Sequence, residues 1–76
     1  MNKELNEFLE RVIKAELKWM HHYDVDDVAF GIETDRYKWC KSVVDGNASI
    51  NELLEYFTKY YPNDERQFIN HIKEIM

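Results

Sequence analysis

Apolar side chains recur along this chain at helical spacing, and the segment from Ser49 to Tyr61 shows a start, a face and a stop together. Ile50, Leu53, Leu54, Phe57 and Tyr61 occupy the i, i+3, i+4, i+7 and i+11 positions of a single helical face. Ser49 with Glu52 three residues on forms a capping box: the hydroxyl accepts an otherwise unpaired N–H of the first turn, and the carboxylate accepts the N–H of the cap itself. Pro62 ends the run, because it has no N–H to donate and disfavours helical backbone in the residue before it. The rest of the chain can be read as cover for this stripe.

From Asn2 to about Tyr23 the spacing predicts a long first helix, with Leu5, Phe8, Leu9, Val12, Trp19, Met20 and Tyr23 on one face and Glu7, Glu10, Arg11, Lys14 and Lys18 opposite. Glu16 breaks the pattern by projecting into the apolar stripe between Val12 and Met20. An unpaired carboxylate buried there would cost several kcal/mol or take up a proton, so it needs a partner.

Asp24 can cap a second element, and from Val25 two patterns compete. Val28, Phe30 and Ile32 alternate with Ala29, Gly31 and Glu33 as in a strand. Alternatively, Val25, Val28, Ala29, Ile32, Trp39, Cys40 and Val43 share a helical face, with Phe30, Tyr37 and Val44 as a second strip beside it. The helix is favoured, since a strand needs a partner strand and no second segment has strand character. Gly31 and Thr34 are weak helix formers, which allows a kink or break between Gly31 and Asp35 with Thr34 recapping the second half; residues 25–34 stay open between helix, kinked helix and strand. Gly46 ends this element where glycine tolerates the left-handed conformation.

On the helical reading Arg36 projects into the centre of its own apolar stripe, as Glu16 does in the first helix. The two can satisfy each other, and a partly buried Glu16–Arg36 contact between the first two helices is expected. The alternative is a break near Thr34 that turns Arg36 outward and leaves Glu16 at a helix edge. After Pro62, Asn63 or Asp64 can cap a last helix in which Phe68, Ile69, Ile72, Ile75 and Met76 are apolar, with Asp64 and Glu65 suited to the positive end of its dipole. The predicted fold class is all-α: residues 1–76 form one domain, a bundle of four helices, or of five if the second is broken.

At 76 residues the core must be thin. A domain near this size hides only about 60% of the surface its unfolded chain exposes. Its core rarely yields more than about 3–5 kcal/mol of net stability. The single cysteine, Cys40, excludes an internal disulfide, and no zinc-ligand spacing is present, so a second protein chain is the remaining source of support. Two Trp, five Tyr and four Phe are more rings than such a core can enclose, and aromatic residues left at a surface are the mark of binding hot spots.

The net charge of −5 repels phosphate backbones and favours a basic partner. With no charged-then-apolar leader and no run of the roughly 18 apolar residues that a span needs, the chain reads as cytoplasmic with no membrane association. The sequon Asn47-Ala48-Ser49 is then a chance match.

No catalytic signature is present, and neither a cofactor nor a catalytic residue is expected. Two glycines cannot build a phosphate-cradling loop, and no nucleophile stands beside a plausible base. Cys40, on the apolar stripe, reads as a small buried hydrophobe. His21 and His22 diverge by about 100° on a helix, leaving His22 and Asp26, with His71 from elsewhere, as a weak metal pattern; solvated histidines at a helix end are the simpler reading, and no metal site is expected.

Two features point instead to a protein partner. Asp24, Asp26 and Asp27, joined further on by Glu33 and Asp35, form the densest charge cluster. The ordinary reading is a solvated helix start; the functional one is an acidic patch matched to a cationic groove. Their spacing does not fit a calcium loop. Tyr56 and Tyr60, four residues apart on the flank of the organising helix, either pack under the last helix or serve as partly exposed anchors.

At Tyr60-Tyr61-Pro62 the chain resembles, over three residues, the Tyr-Tyr-Pro anchor of the DNase-colicin immunity proteins, small acidic helical bundles that block a basic nuclease. In that family the tripeptide lies on a short separate helix after an acidic second helix, whereas here it closes the organising helix. The resemblance implies only that this size, charge and surface chemistry are compatible with an inhibitor.

The expected function is therefore a non-enzymatic protein-binding module, most concretely a small inhibitor or regulator of a larger, basic protein, nucleic-acid-processing proteins being one such class. The binding residues would be Asp24, Asp26, Asp27, Glu33, Asp35, Tyr56 and Tyr60. A structural homodimer and a helix-turn-helix regulator are the alternatives. Direct nucleic-acid binding is disfavoured, because the would-be recognition helix starts Ile50-Asn51-Glu52 and carries Glu55 before its first lysine, Lys59.

Overall fold

The computed structural model describes residues 2–20 and 30–76. Among the described residues the chain is all-helical, with α1 (Lys3–Met20), α2 (Phe30–Val44), α3 (Ile50–Tyr60) and α4 (Arg66–Ile75). The helices touch in sequence, α1 to α2, α2 to α3 and α3 to α4, and α4 returns to α1. Asn2 closes that circuit: its side-chain oxygen accepts the N–H of Leu5 at 2.7 Å, capping α1, and its amide donates to the carbonyl of Ile75 at 2.7 Å.

Each connection has a local chemical cause. Gly46, at φ +82°, lets α2 end in a Schellman turn, with Asn47 N–H donating to Ser42 O at 2.8 Å and Gly46 N–H to Val43 O at 3.1 Å. Ser49 and Glu52 form both bonds of the capping box, each at 3.1 Å, so α3 starts where the sequence places it. Tyr61 then leaves helical geometry ahead of Pro62.

The core takes residues from all four helices: Leu5 and Leu9, Cys40 and Val43, Leu53, Leu54 and Phe57, and Ile69 and Ile72. Phe8, Val12, Ile13, Trp39, Tyr61 and Phe68 are among the half-buried side chains packed against it. Cys40 is fully enclosed, and burial, with the Glu16 charge adding to it, pushes its thiol up to about 12; it is a small hydrophobe and not a nucleophile.

Two local expectations are corrected. No break interrupts the chain between Gly31 and Asp35, because α2 runs unbroken from Phe30 to Val44. Thr34 therefore recaps nothing, and its hydroxyl is buried without a hydrogen-bond partner among the described residues. Residues 25–29, where helix and strand patterns also competed, lie outside the described residues. The last helix is capped by neither Asn63 nor Asp64. A turn carries the chain to Glu65, which occupies the cap position without a side-chain cap bond, and α4 starts at Arg66. The reason is that the Glu65 carboxylate is drawn inward to an ionic partner.

That partner is Arg36. Its Nε and Nη2 donate to the two oxygens of Glu65 at 2.6 and 2.7 Å, a bidentate fork, while Nη1 donates to Glu16 Oε1 at 2.8 Å. The expected Glu16–Arg36 contact is present, with Glu65 as an unanticipated third member. The side chains of Glu16 and Glu65 are 6% and 3% exposed against 28% for Arg36, so two carboxylates are withdrawn from water around one guanidinium. The hydrogen bonds accepted by Glu65 lead the one accepted by Glu16 in raising the Arg36 pKa above its already high ordinary value, against an opposing cost of burial. The group fastens α1, α2 and the start of α4 at one point.

Removing the guanidinium takes from two buried carboxylates the cation they share, so Arg36→Ala is expected to cost about 3–5 kcal/mol, comparable to the whole stability of a domain this small. Replacing all three members with methionine is expected to leave stability unchanged or raise it by about 1–4 kcal/mol. Urea denaturation measures both, and a loss under about 1 kcal/mol for Arg36→Ala would mean that the group behaves as an ordinary surface pair.

Candidate functional site

Asp35 and Arg36 are adjacent on α2, so their side chains leave the helix about 100° apart. Arg36 faces Glu16 and Glu65. Asp35 faces α3, where its Oδ2 accepts the hydroxyl of Tyr56 at 3.0 Å and that of Tyr61 at 2.7 Å. Trp39, one helical turn after Asp35, lies on the same side of α2 and places its ring 5.1 Å from that of Tyr56.

Tyr56 is the centre of an aromatic series. Its ring is 4.7 Å from Tyr60, 5.5 Å from Phe57 and 6.4 Å from Tyr61. Phe57, fully buried, is the innermost ring, and beyond it lie the half-buried Phe68 at 5.2 Å and then Phe8, 6.0 Å from Phe68, where His71 adds an edge contact at 4.6 Å. On the α3 side the rings run from the buried Phe57 through Tyr56 to Tyr60, which is 56% exposed. The separations lie in the range where tilted and edge-to-face ring pairs attract, so the exposed ring is held by a line of packed neighbours.

The surface end of this series is a shallow groove of about 440 Å³ between α2 and α3, lined by Trp39, Tyr56 and Tyr60 with Glu52, Glu55 and Lys59. Glu52, Tyr56 and Tyr60 fall on one stripe of α3 at i, i+4 and i+8, with Glu55 and Lys59 beside it. Lys59 Nζ lies 5.2 Å from the centroid of the Tyr60 ring, a cation–π contact.

Of the residues singled out from sequence, Asp35, Tyr56 and Tyr60 come together here. Tyr56 packs against Trp39 of α2, and Tyr60 against Tyr56, rather than beneath α4. Asp35 is half-buried and takes hydrogen bonds from within the chain. Asp24, Asp26 and Asp27 lie outside the described residues, as do His21 and His22, and Glu33 is described in its backbone only. Periodicity assigns Trp39 and Tyr61 to apolar stripes and misses their part in this surface. The four-residue step from Asp35 to Trp39 is the available sign for the first, whereas nothing local foretells that the Tyr61 hydroxyl reaches Asp35, 26 residues away.

Among the described residues no group of three or more His, Cys, Asp or Glu is placed to hold a metal ion, and no helix is long and apolar enough to cross a membrane. In comparisons with protein-family models, with curated proteins and with solved structures, nothing matches the chain.

Two phenols sharing one carboxylate titrate late, because ionisation both removes the donor and sets a second negative charge against Asp35. The Tyr61 hydroxyl is pushed up to about 12, first by its hydrogen bond to Asp35 and then by desolvation, and Tyr56 is raised by the same causes. A pKa raised on folding stabilises fully below the unfolded value of 10.0 and is lost as pH climbs through about 12. Asp35→Asn is expected to shift part of the alkaline tyrosinate absorbance rise toward lower pH and to flatten the loss of stability across that window. Spectrophotometric titration is the check, and superimposable curves would count against the contact.

Proposed function

We propose that this chain is a non-enzymatic protein-binding module, most concretely a small acidic inhibitor or regulator, in which a helical bundle presents aromatic anchors to a larger, basic protein. The observation that carries this reading is the exposed Tyr60, its ring tilted against Tyr56, which in turn packs on Trp39, in a groove also lined by Glu52 and Glu55. Tyrosine and tryptophan offer a partner large contact area with few side-chain torsions to freeze, and rings already packed on one another lose less freedom still on binding.

Charge supports the same reading. The chain carries −5, and the exposed Glu52 and Glu55 beside the rings add a local field that would steer a cationic surface and orient it. The same carboxylates stand on the leading half of α3, where a DNA-reading helix would meet phosphate, which argues against a helix-turn-helix role.

Immobilised protein is expected to capture one basic protein from the source cells, with capture falling as salt rises. Because Tyr60 is exposed, Tyr60→Ala should leave thermal unfolding nearly unchanged while weakening capture by about tenfold or more, the loss expected of a hot-spot residue. Equal capture by the variant would overturn this reading, and self-association alone would favour a structural homodimer.

A further inference from the structure

We infer that the groove between α2 and α3 receives an arginine side chain of the partner, an inference that rests on the protein-binding reading above and names the chemistry of the contact. The side chains of Trp39, Tyr56 and Tyr60 line the groove, and two acidic residues, Glu52 and Glu55, lie three residues apart along its α3 side. Aromatic faces carry negative potential and attract cations, and carboxylates supply the counter-charge and hydrogen-bond acceptors. A hydrophobic anchor would have no use for the acids, and an anion would be repelled by both acids and rings.

The groove already shows this preference within the chain. The Lys59 ammonium lies over the Tyr60 ring. Lys59 is exposed on a flexible stem, so it acts as an internal occupant that a better-matched cation displaces. A guanidinium is that better match. It is planar and stacks on a ring, it is less strongly hydrated than an ammonium, and its forked donors can grip a carboxylate while its face rests on the aromatic floor. The chain's net charge of −5 makes the approach of such a group favourable at longer range.

The test uses the full chain, labelled with nitrogen-15, titrated with short Gly-Ser peptides that differ only in carrying paired arginines, paired lysines or paired citrullines, the last being the uncharged counterpart of arginine. The Trp39 indole N–H, assigned with Trp39→Phe, is the readout. Arginine peptide is expected to give saturable shifts at Trp39 and along the Glu52, Tyr56 and Tyr60 stripe, with citrulline peptide about tenfold weaker and lysine peptide in between. Tyr60→Ala and the pair Glu52→Gln with Glu55→Gln should each weaken arginine peptide, and Lys59→Ala should tighten it a few-fold.

Equal binding of arginine and citrulline peptides, shifts that avoid Trp39, or no binding at all would overturn the inference. If that happens while Tyr60-dependent capture of a basic protein persists, the protein-binding reading survives without it. Arginine-selective shifts at Trp39 in a chain that captures no basic protein would support the groove chemistry and remove the wider reading.

Discussion

The fold turns on one guanidinium. Arg36 donates three hydrogen bonds to two carboxylates that are almost wholly withdrawn from water, and through them it joins α1, α2 and the start of α4. Burying such a group is not an efficient route to stability, since desolvation of the charges consumes most of their attraction. What it secures is position. An apolar core tolerates sliding and rotation of its helices, whereas a bidentate fork is satisfied in a narrow range of geometries. The cost of leaving any of the three charges unpaired excludes arrangements that the apolar contacts alone would accept.

Position on one side of α2 then determines the other. With Arg36 directed at Glu16 and Glu65, helical geometry turns Asp35 toward α3, where it collects the hydroxyls of Tyr56 and Tyr61. This adjacent pair of opposite charges sets the rotation of α2 from both sides. Trp39, one turn further along, is carried against Tyr56, and Tyr56 in turn supports Tyr60 at the surface. The exposed ring is therefore the last member of a supported series, with the buried Phe57 behind Tyr56. The proposed binding surface and the buried ion group are the two consequences of how α2 is oriented.

Sequence separation governs what could be read in advance. The capping box of Ser49 and Glu52, the left-handed Gly46 and the stop at Pro62 each depend on residues within one or two turns, and the local backbone has few other ways to satisfy its N–H and C=O groups. The Glu16–Arg36 contact was legible over 20 residues because each charge interrupts an otherwise apolar face, and two such interruptions of opposite sign can satisfy each other. Glu65 gave no comparable sign. It stands among Asn63, Asp64 and Arg66, where a carboxylate is ordinary and a cap or dipole role accounts for it.

Local pattern by itself thus determined the all-helical class, the limits of α3, the turn at Gly46 and the placing of Cys40 in the core, since all of these derive from backbone hydrogen bonding and the 3.6-residue repeat. Only the tertiary structure decided that α2 runs unbroken from Phe30, that Glu65 completes the ion group in place of a helix cap, and that Asp35 binds two tyrosines while Trp39, Tyr56 and Tyr60 form one surface. Those outcomes depend on which faces meet across 20 to 30 residues of chain. Periodicity says which side of a helix is apolar; it does not say which neighbour that side will find.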